Sequence, residues 1–194
     1  WWFVTVAQSG CLSDSLILVA LYNATNGPSW TNKWNLTKPM NTWYGVQLNG
    51  QGCVTCIDFD GIPDCWAQGN YQGNNLVGTL PDEIGGLTSL THLSLQYNHI
   101  SGNIPPNLSN LKQLYRLYLS NNKFSGNIPP ELGDMPSLES LGLSSNNLSG
   151  SIPASLGNLS GLGILWLGNN NLSGCIPSEL QKLCPHVWNY SILN

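Results

Sequence analysis

The 194-residue chain has a formal net charge of −4 built from only 6 basic and 10 acidic residues, so 8% of it is charged where a soluble domain usually has about 25%. That excludes the basic footprint of a nucleic-acid binder, and no run reaches the ~18 apolar residues of a membrane span. Six cysteines together with N-x-S/T sequons at Asn23, Asn35, Asn107, Asn147, Asn158, Asn171 and Asn189 point to an oxidising compartment and N-linked glycans. The composition is that of a secreted, extracellular glycoprotein.

Residues 1–10 form an apolar N-terminal tail. Its front, Trp1-Trp2-Phe3-Val4-Thr5-Val6-Ala7, reads either as the remainder of a signal peptide or as a strand. As a strand, Trp1, Trp2 and Phe3 would dock on a neighbouring copy, and such head-to-tail contacts propagate into a filament unless they close a ring.

Residues 11–73 read as an N-terminal cap. Ser13 is placed to cap a helix over Asp14–Asn26, with Leu12, Leu16, Val19 and Tyr22 as its apolar stripe and Gly27-Pro28 as its stop. Trp30, Trp34, Trp43 and Tyr44 are expected to pack this cap rather than hold a sugar. Val54-Thr55-Cys56-Ile57-Asp58-Phe59 reads as a first strand with Ile57 and Phe59 inward. An insertion, Ile62 to Gly73, follows it and carries Cys65, Trp66 and Tyr71. Cys53-Val54-Thr55-Cys56 is a C-x-x-C, but it enters a strand rather than a helix N-terminus, and no second pair of cysteines or histidines completes a zinc site. Structural disulfides are the reading. Cys11, Cys53, Cys56 and Cys65 allow three pairings, of which Cys11–Cys53 with Cys56–Cys65 is favoured.

Residues 74–174 repeat with a period of 24: Pro81, Pro105, Pro129, Pro153 and Pro177 keep the step, as do Asn74, Asn98, Asn122, Asn146 and Asn170. Leu90-Leu93-Leu95, Leu114-Leu117-Leu119, Leu138-Leu141-Leu143 and Leu162-Leu165-Leu167 fill the intervals. A fixed period of this length marks a solenoid. In each L-x-L the leucines face inward and the residue between faces out, so strands near 55–59, 91–96, 115–120, 139–144 and 163–168 should stack into a parallel sheet. Each asparagine leaves its strand for a turn, where its amide satisfies backbone groups of its own and adjacent coils. Ile104, Ile128, Ile152 and Ile176 point into the core. Pro106–Leu111, Pro130–Met135 and Ala154–Leu159 form short 3₁₀ or α turns on the convex side. Residues 175–194 form a C-terminal cap in which Cys175 and Cys184 are expected to pair and His186–Tyr190 to cover the last leucines.

The outward column Asp58, Ser94, Tyr118, Gly142 and Trp166 is the candidate binding surface. Beside it run His92, Arg116, Ser140 and Ile164, and on the other flank Gln96, Ser120, Ser144 and Gly168. Tyr118 and Trp166, two strands and about 10 Å apart, should leave a slot over Gly142 with Arg116 next to it. His92, Arg116, Tyr118, Gly142 and Trp166 are therefore the predicted site. His92, His99 and His186 keep no metal-binding or triad spacing, and Asp58 with Asp60 reads as a solvated strand end. Neither metal, cofactor nor enzymatic activity is expected.

The string S-G-x-I-P, as Ser101-Gly102-Asn103-Ile104-Pro105 and its equivalents at 125–129, 149–153 and 173–177, resembles the plant-type leucine-rich repeat family of receptor ectodomains and secreted polygalacturonase-inhibiting proteins. The resemblance covers roughly residues 74–184. The segment Ala20–Trp30 and Trp43-Tyr44-Gly45-Val46 look like that family's N-terminal cap, although its Cys-Cys near the second element is absent, so its disulfide pairing does not carry over. The resemblance implies an α/β repeat solenoid with a concave parallel sheet, serving as an extracellular module that binds a protein, peptide or glycan. A self-associating structural filament and an ice-binding protein are the alternatives.

Overall fold

The computed structural model describes residues 11, 13–59, 72–183 and 189–191. Trp1, Trp2 and Phe3, the greater part of the insertion with Cys65, and Cys184 and His186 lie outside the described residues. A helix, α1 (Asp14–Ala24), precedes twelve strands: β1 (Val46–Leu48), β2 (Val54–Asp58), β3 (Val77–Thr79), β4 (His92–Ser94), β5 (His99–Gly102), β6 (Arg116–Tyr118), β7 (Lys123–Asn127), β8 (Ser140–Gly142), β9 (Asn147–Ser151), β10 (Ile164–Trp166), β11 (Asn171–Ser173) and β12 (Asn189–Ser191). They form two sheets, one ordered β1-β2-β4-β6-β8-β10-β12 and the other β3-β5-β7-β9-β11. All pairs are parallel except β1 with β2.

The 24-residue period sets the register directly. Leu93, Leu117, Leu141 and Leu165 lie side by side in the first sheet, and all four have no exposed surface. Ile57 and Phe59 occupy the equivalent inward places of β2 and are equally buried. The second sheet forms where the chain leaves each asparagine turn. Short 3₁₀ turns at Asp82–Gly86, Pro106–Asn110, Pro130–Asp134 and Ala154–Asn158 close the convex side, each placing one Ile or Leu, namely Ile84, Leu108, Leu132 and Leu156, fully inside. Gly126 and Gly150 hold φ near +75°, and a Cβ on either would run into the side-chain oxygen of Asn103 or Asn127 one coil earlier. A glycine is required there on both counts.

Between coils stands a ladder of asparagine amides. Asn146 Oδ1 accepts from Phe124 N–H at 2.9 Å, while its Nδ2 donates to the carbonyls of Leu119 at 3.0 Å, Leu143 at 3.1 Å and Ser144 at 3.3 Å. Asn122 and Asn170 repeat the arrangement on their own and preceding coils. Asn98 accepts from Asn74 and Leu76 N–H, and the Asn74 amide bonds Asn32 in the cap. The residues just before the later four asparagines, Tyr97, Asn121, Ser145 and Asn169, hold φ between 55° and 59°, the sharp left-handed corner that aims each amide inward.

The cap differs from its sequence reading in how α1 is turned. Asp14, Leu18, Leu21 and Tyr22 are buried, whereas Leu16, expected inside, is 72% exposed. The segment is apolar almost all round, so periodicity gave no preferred face. The deciding contact is polar: Asp14 Oδ2 accepts Val54 N–H at 2.9 Å. Ser13 makes no side-chain cap bond. Beside this contact Cys11 and Cys53 are disulfide-bonded with Cα atoms 5.0 Å apart, as favoured from sequence. Cys56 is also disulfide-bonded, with its partner outside the described residues.

Trp30, Trp34 and Trp43 pack with Tyr22 and Phe59 at ring separations of 4.8–6.0 Å. Their indole N–H groups donate to the carbonyls of Thr25, Tyr44, and both Asn35 and Lys38. They form the core of the cap.

The last coil departs from expectation. Ile176 is 45% exposed, against 1–7% for Ile104, Ile128 and Ile152. Cys175, expected to pair with Cys184, carries a free and exposed thiol. β12 continues the first sheet beyond β10, with Asn189 beside Ile164 and Ser191 beside Trp166.

Asn146→Ala is expected to lower unfolding free energy by about 1–3 kcal/mol, because it orphans Phe124 N–H and several carbonyls in the core. Leu141→Ala should cost roughly 2–5 kcal/mol through transfer and cavity terms. Urea titration followed by far-UV circular dichroism measures both.

Candidate concave binding site

The outward side chains of the first sheet divide into two unlike halves. Toward the N-terminus Asp58, His92, Ser94 and Gln96 are all buried, with 5–7% of their surface exposed. Toward the C-terminus Arg116, Tyr118, Ile164 and Trp166 are half-buried and reach solvent. The five predicted residues therefore do not form one groove. Four of them belong to the open half, and His92 belongs to the closed one.

In the open half the expected slot is absent. Tyr118 lies beside Gly142, and Gly142 beside Trp166, in consecutive strands. The two rings lean over the glycine and stack, with centroids 5.7 Å apart and planes within 15°. Backbones two strands apart stand roughly 10 Å from each other, so both side chains cross the intervening strand to meet. The glycine leaves the rings room to approach: a Cβ on residue 142 would lie 3.0 Å from Tyr118 Cδ1, 3.1 Å from Ser120 Oγ and 3.3 Å from Trp166 Cε3, tight enough that these neighbours would have to give. Sequence alone missed the closure because spacing places Cα atoms, whereas ring–ring attraction places side chains.

One flank of the pair is lined by hydroxyls, and the other is mixed, carrying Arg116, Ser140 and Ile164. Ser144 Oγ donates to Ser120 Oγ at 3.0 Å along one side. On the other side Ser140 is buried and Ile164 half-buried. The strand bonds beneath run without a break, with Leu95, Leu119 and Leu143 N–H donating to the Tyr118, Gly142 and Trp166 carbonyls, each at 2.8 Å.

The Arg116 guanidinium carbon is 5.6 Å from the Tyr115 ring, a cation–π distance. The same tyrosine meets the His92 ring edge-on at 4.1 Å, and His92 Nδ1 lies 3.1 Å from Thr91 Oγ1. Burial, with the Arg116 charge adding to it, lowers the His92 pKa to about 4. Burial raises the Tyr115 hydroxyl pKa. Tyr115, which sequence reasoning did not single out, thus joins both basic residues. It sits at the strand entry, outside the alternating positions that periodicity reads. The described residues contain no cluster of three or more His, Cys, Asp or Glu that could hold a metal, and no described helix is long and apolar enough to cross a membrane.

The neutral state of His92 has a thermodynamic consequence. Its folded pKa lies below the unfolded value of 6.5, so the unfolded chain binds the extra proton first as pH falls. The associated stability is present above pH 6.5 and is lost as pH drops toward about 4. At about 1.36 kcal/mol per pKa unit the loss is on the order of 3 kcal/mol. Melting temperature measured across this window should fall in the wild type, and fall less steeply in His92→Gln.

Two family profiles match the repeats: "Leucine Rich repeats (2 copies)" over residues 88–132 and "Leucine Rich Repeat" over 137–159 and 161–183. No curated protein is significantly similar in sequence, whereas many solved structures are. The ectodomain of the Arabidopsis thaliana receptor kinase GASSHO1/SCHENGEN3, solved in complex with CASPARIAN STRIP INTEGRITY FACTOR 2, is 31% identical with a TM-score of 0.79. The match covers 93% of this chain but only 20% of that one. The BIR2 ectodomain from Arabidopsis thaliana is 31% identical over 88% of this chain and 87% of its own, with a TM-score of 0.73. A plant ice-binding protein is 28% identical over 88% of this chain and 60% of its own, with a TM-score of 0.64. Stacked leucine strands, an asparagine ladder and matches of this extent to plant ectodomains lead to one assignment: the chain belongs to the leucine-rich repeat proteins.

Proposed function

We propose that the chain is an extracellular, N-glycosylated recognition module that binds a protein, peptide or glycan through the open half of its concave sheet. The observation that carries this reading is the half-exposed Tyr118–Trp166 stack, an aromatic surface held on rigid strands and bordered by hydroxyl groups. Recognition sites commonly combine such apolar area with a few placed polar groups. The GASSHO1/SCHENGEN3 complex with its partner factor supports a binding role for this architecture. Exposure of the sequon residues Asn23, Asn35, Asn107, Asn147, Asn158 and Asn171 supports glycosylation. Asn107 and Asn158 lie in the convex 3₁₀ turns, where glycans would leave the concave strands bare. The Cys11–Cys53 disulfide suits an oxidising compartment.

Replacing both Tyr118 and Trp166 with alanine is expected to abolish capture of the native extracellular partner while shifting the melting temperature by only a few degrees. Binding that survives both changes would rule the aromatic stack out as the site.

Ice binding is a second reading. It is favoured by the likeness to a plant ice-binding protein and by the second sheet, which carries Ser101, Ser125, Ser149 and Ser173 in register with the exposed Asn103, Asn127 and Ser151 one position beyond the intervening glycine. Thermal hysteresis at millimolar protein tests it, and freezing at the equilibrium point would exclude it.

A further inference from the structure

Resting on the concave-site reading above, we infer that the ligand of the Tyr118–Trp166 stack is an uncharged oligosaccharide of gluco-configured sugars rather than a charged peptide or an acidic glycan.

The inference starts from charge. The outward positions of β8 and β10 are Ser140, Gly142, Ile164 and Trp166, none of which ionises, and the next outward pair, Ser144 and Gly168, is neutral too. Arg116, two residues before Tyr118 in β6, has its guanidinium carbon 5.6 Å from the Tyr115 ring, a tyrosine on which Glu139 also acts electrostatically. Charges of both signs thus gather around Tyr115 at the strand entries, whereas a ligand carboxylate or ammonium laid over β8 and β10 would lose hydration with no charged outward group of those strands to meet it, which is costly.

The remaining features suit a sugar. A pyranose with equatorial hydroxyls has two faces lined by axial C–H groups and a rim of hydroxyls. The C–H faces pack on aromatic rings, and the rim needs partners that both donate and accept. Serine hydroxyls do both. Ser144 is half-buried beside the rings and donates to the buried Ser120 beneath it at 3.0 Å, which leaves the Ser144 oxygen as the acceptor for a ligand hydroxyl.

An extended peptide finds less here. The carbonyls of Tyr118, Gly142 and Trp166 are already committed to the neighbouring strands, so no sheet edge is offered for backbone pairing. Gly142 completes the device. A Cβ there would crowd both rings, and a branched side chain would disturb the continuous apolar surface they form.

Isothermal titration with cellohexaose and chitohexaose as probes, and with hexagalacturonic acid as the charged counterpart, tests the assignment. At least one neutral hexasaccharide is expected to bind. Tyr118→Ala and Trp166→Ala should each weaken it by roughly tenfold, and Gly142→Val should do likewise, whereas Arg116→Gln should leave it within about twofold. Circular dichroism spectra matching the wild type would show that these variants are folded. Binding of hexagalacturonic acid alone, lost in Arg116→Gln, would overturn the neutral-sugar assignment while keeping the concave site. Neither saccharide binding while a captured extracellular protein still depends on Tyr118 and Trp166 would likewise overturn it and keep the site. Saccharide binding unchanged in Tyr118→Ala/Trp166→Ala would overturn both.

Discussion

One amide per coil holds this molecule together. A parallel strand that ends in a tight corner leaves backbone groups turned inward where no strand partner reaches them, and burying them unpaired costs about 1–3 kcal/mol each. Asn98, Asn122, Asn146 and Asn170 meet that demand because an amide both donates and accepts. A serine is too short to reach the preceding coil, and an aspartate cannot donate. Each oxygen takes an N–H from the coil before it, and each nitrogen donates to carbonyls of its own coil. The 24-residue period and the left-handed corner at Tyr97, Asn121, Ser145 and Asn169 follow from keeping that amide in place.

A ladder of this kind has open ends, and a coil without a neighbour leaves its leucines in water. The N-terminal end is closed by several unlike devices acting together. Indole rings fill the volume, their N–H groups are all bonded to carbonyls, and Asp14 joins α1 to β2 within a few residues of the Cys11–Cys53 disulfide. Asp14 is buried, and burial raises its pKa. Because the folded pKa is the higher one, the protonated form is favoured by folding, and that contribution is lost as pH rises through the folded value. What the carboxylate provides is the bond to Val54 N–H that fixes how the helix is turned.

The same rigidity makes the concave sheet a useful platform. Rings on a continuous parallel sheet lose little freedom when a ligand arrives, which reduces the entropic cost of binding. The division of that sheet into a closed half around His92 and an open half around Trp166 leaves the accessible concave side chains in the last three repeats. The buried polar cluster of Asp58, His92, Ser94 and Gln96 and the half-exposed aromatic stack also differ in chemistry as well as in access.

Whatever depended on period was legible before any coordinates. The leucines at positions 93, 117, 141 and 165, the asparagine ladder, the convex turns and the concave column all follow from a 24-residue repeat laid over the alternation of a strand, since backbone hydrogen bonding leaves that pattern few ways to fold. The cap aromatics were legible too, because so many large rings near one end have nowhere else to be buried. What the sequence could not decide were contacts between residues with no repeating relation. The turn of α1 rests on Asp14 meeting Val54, forty residues away. Arg116 meets Tyr115, its chain neighbour, through a cation–π contact, and Ile176 is exposed where the earlier isoleucines of the repeat are buried. The slot imagined between Tyr118 and Trp166 closes because a bare glycine lets two rings cross a strand and touch. Periodicity places backbones, and side chains then settle according to neighbours that only the tertiary structure supplies.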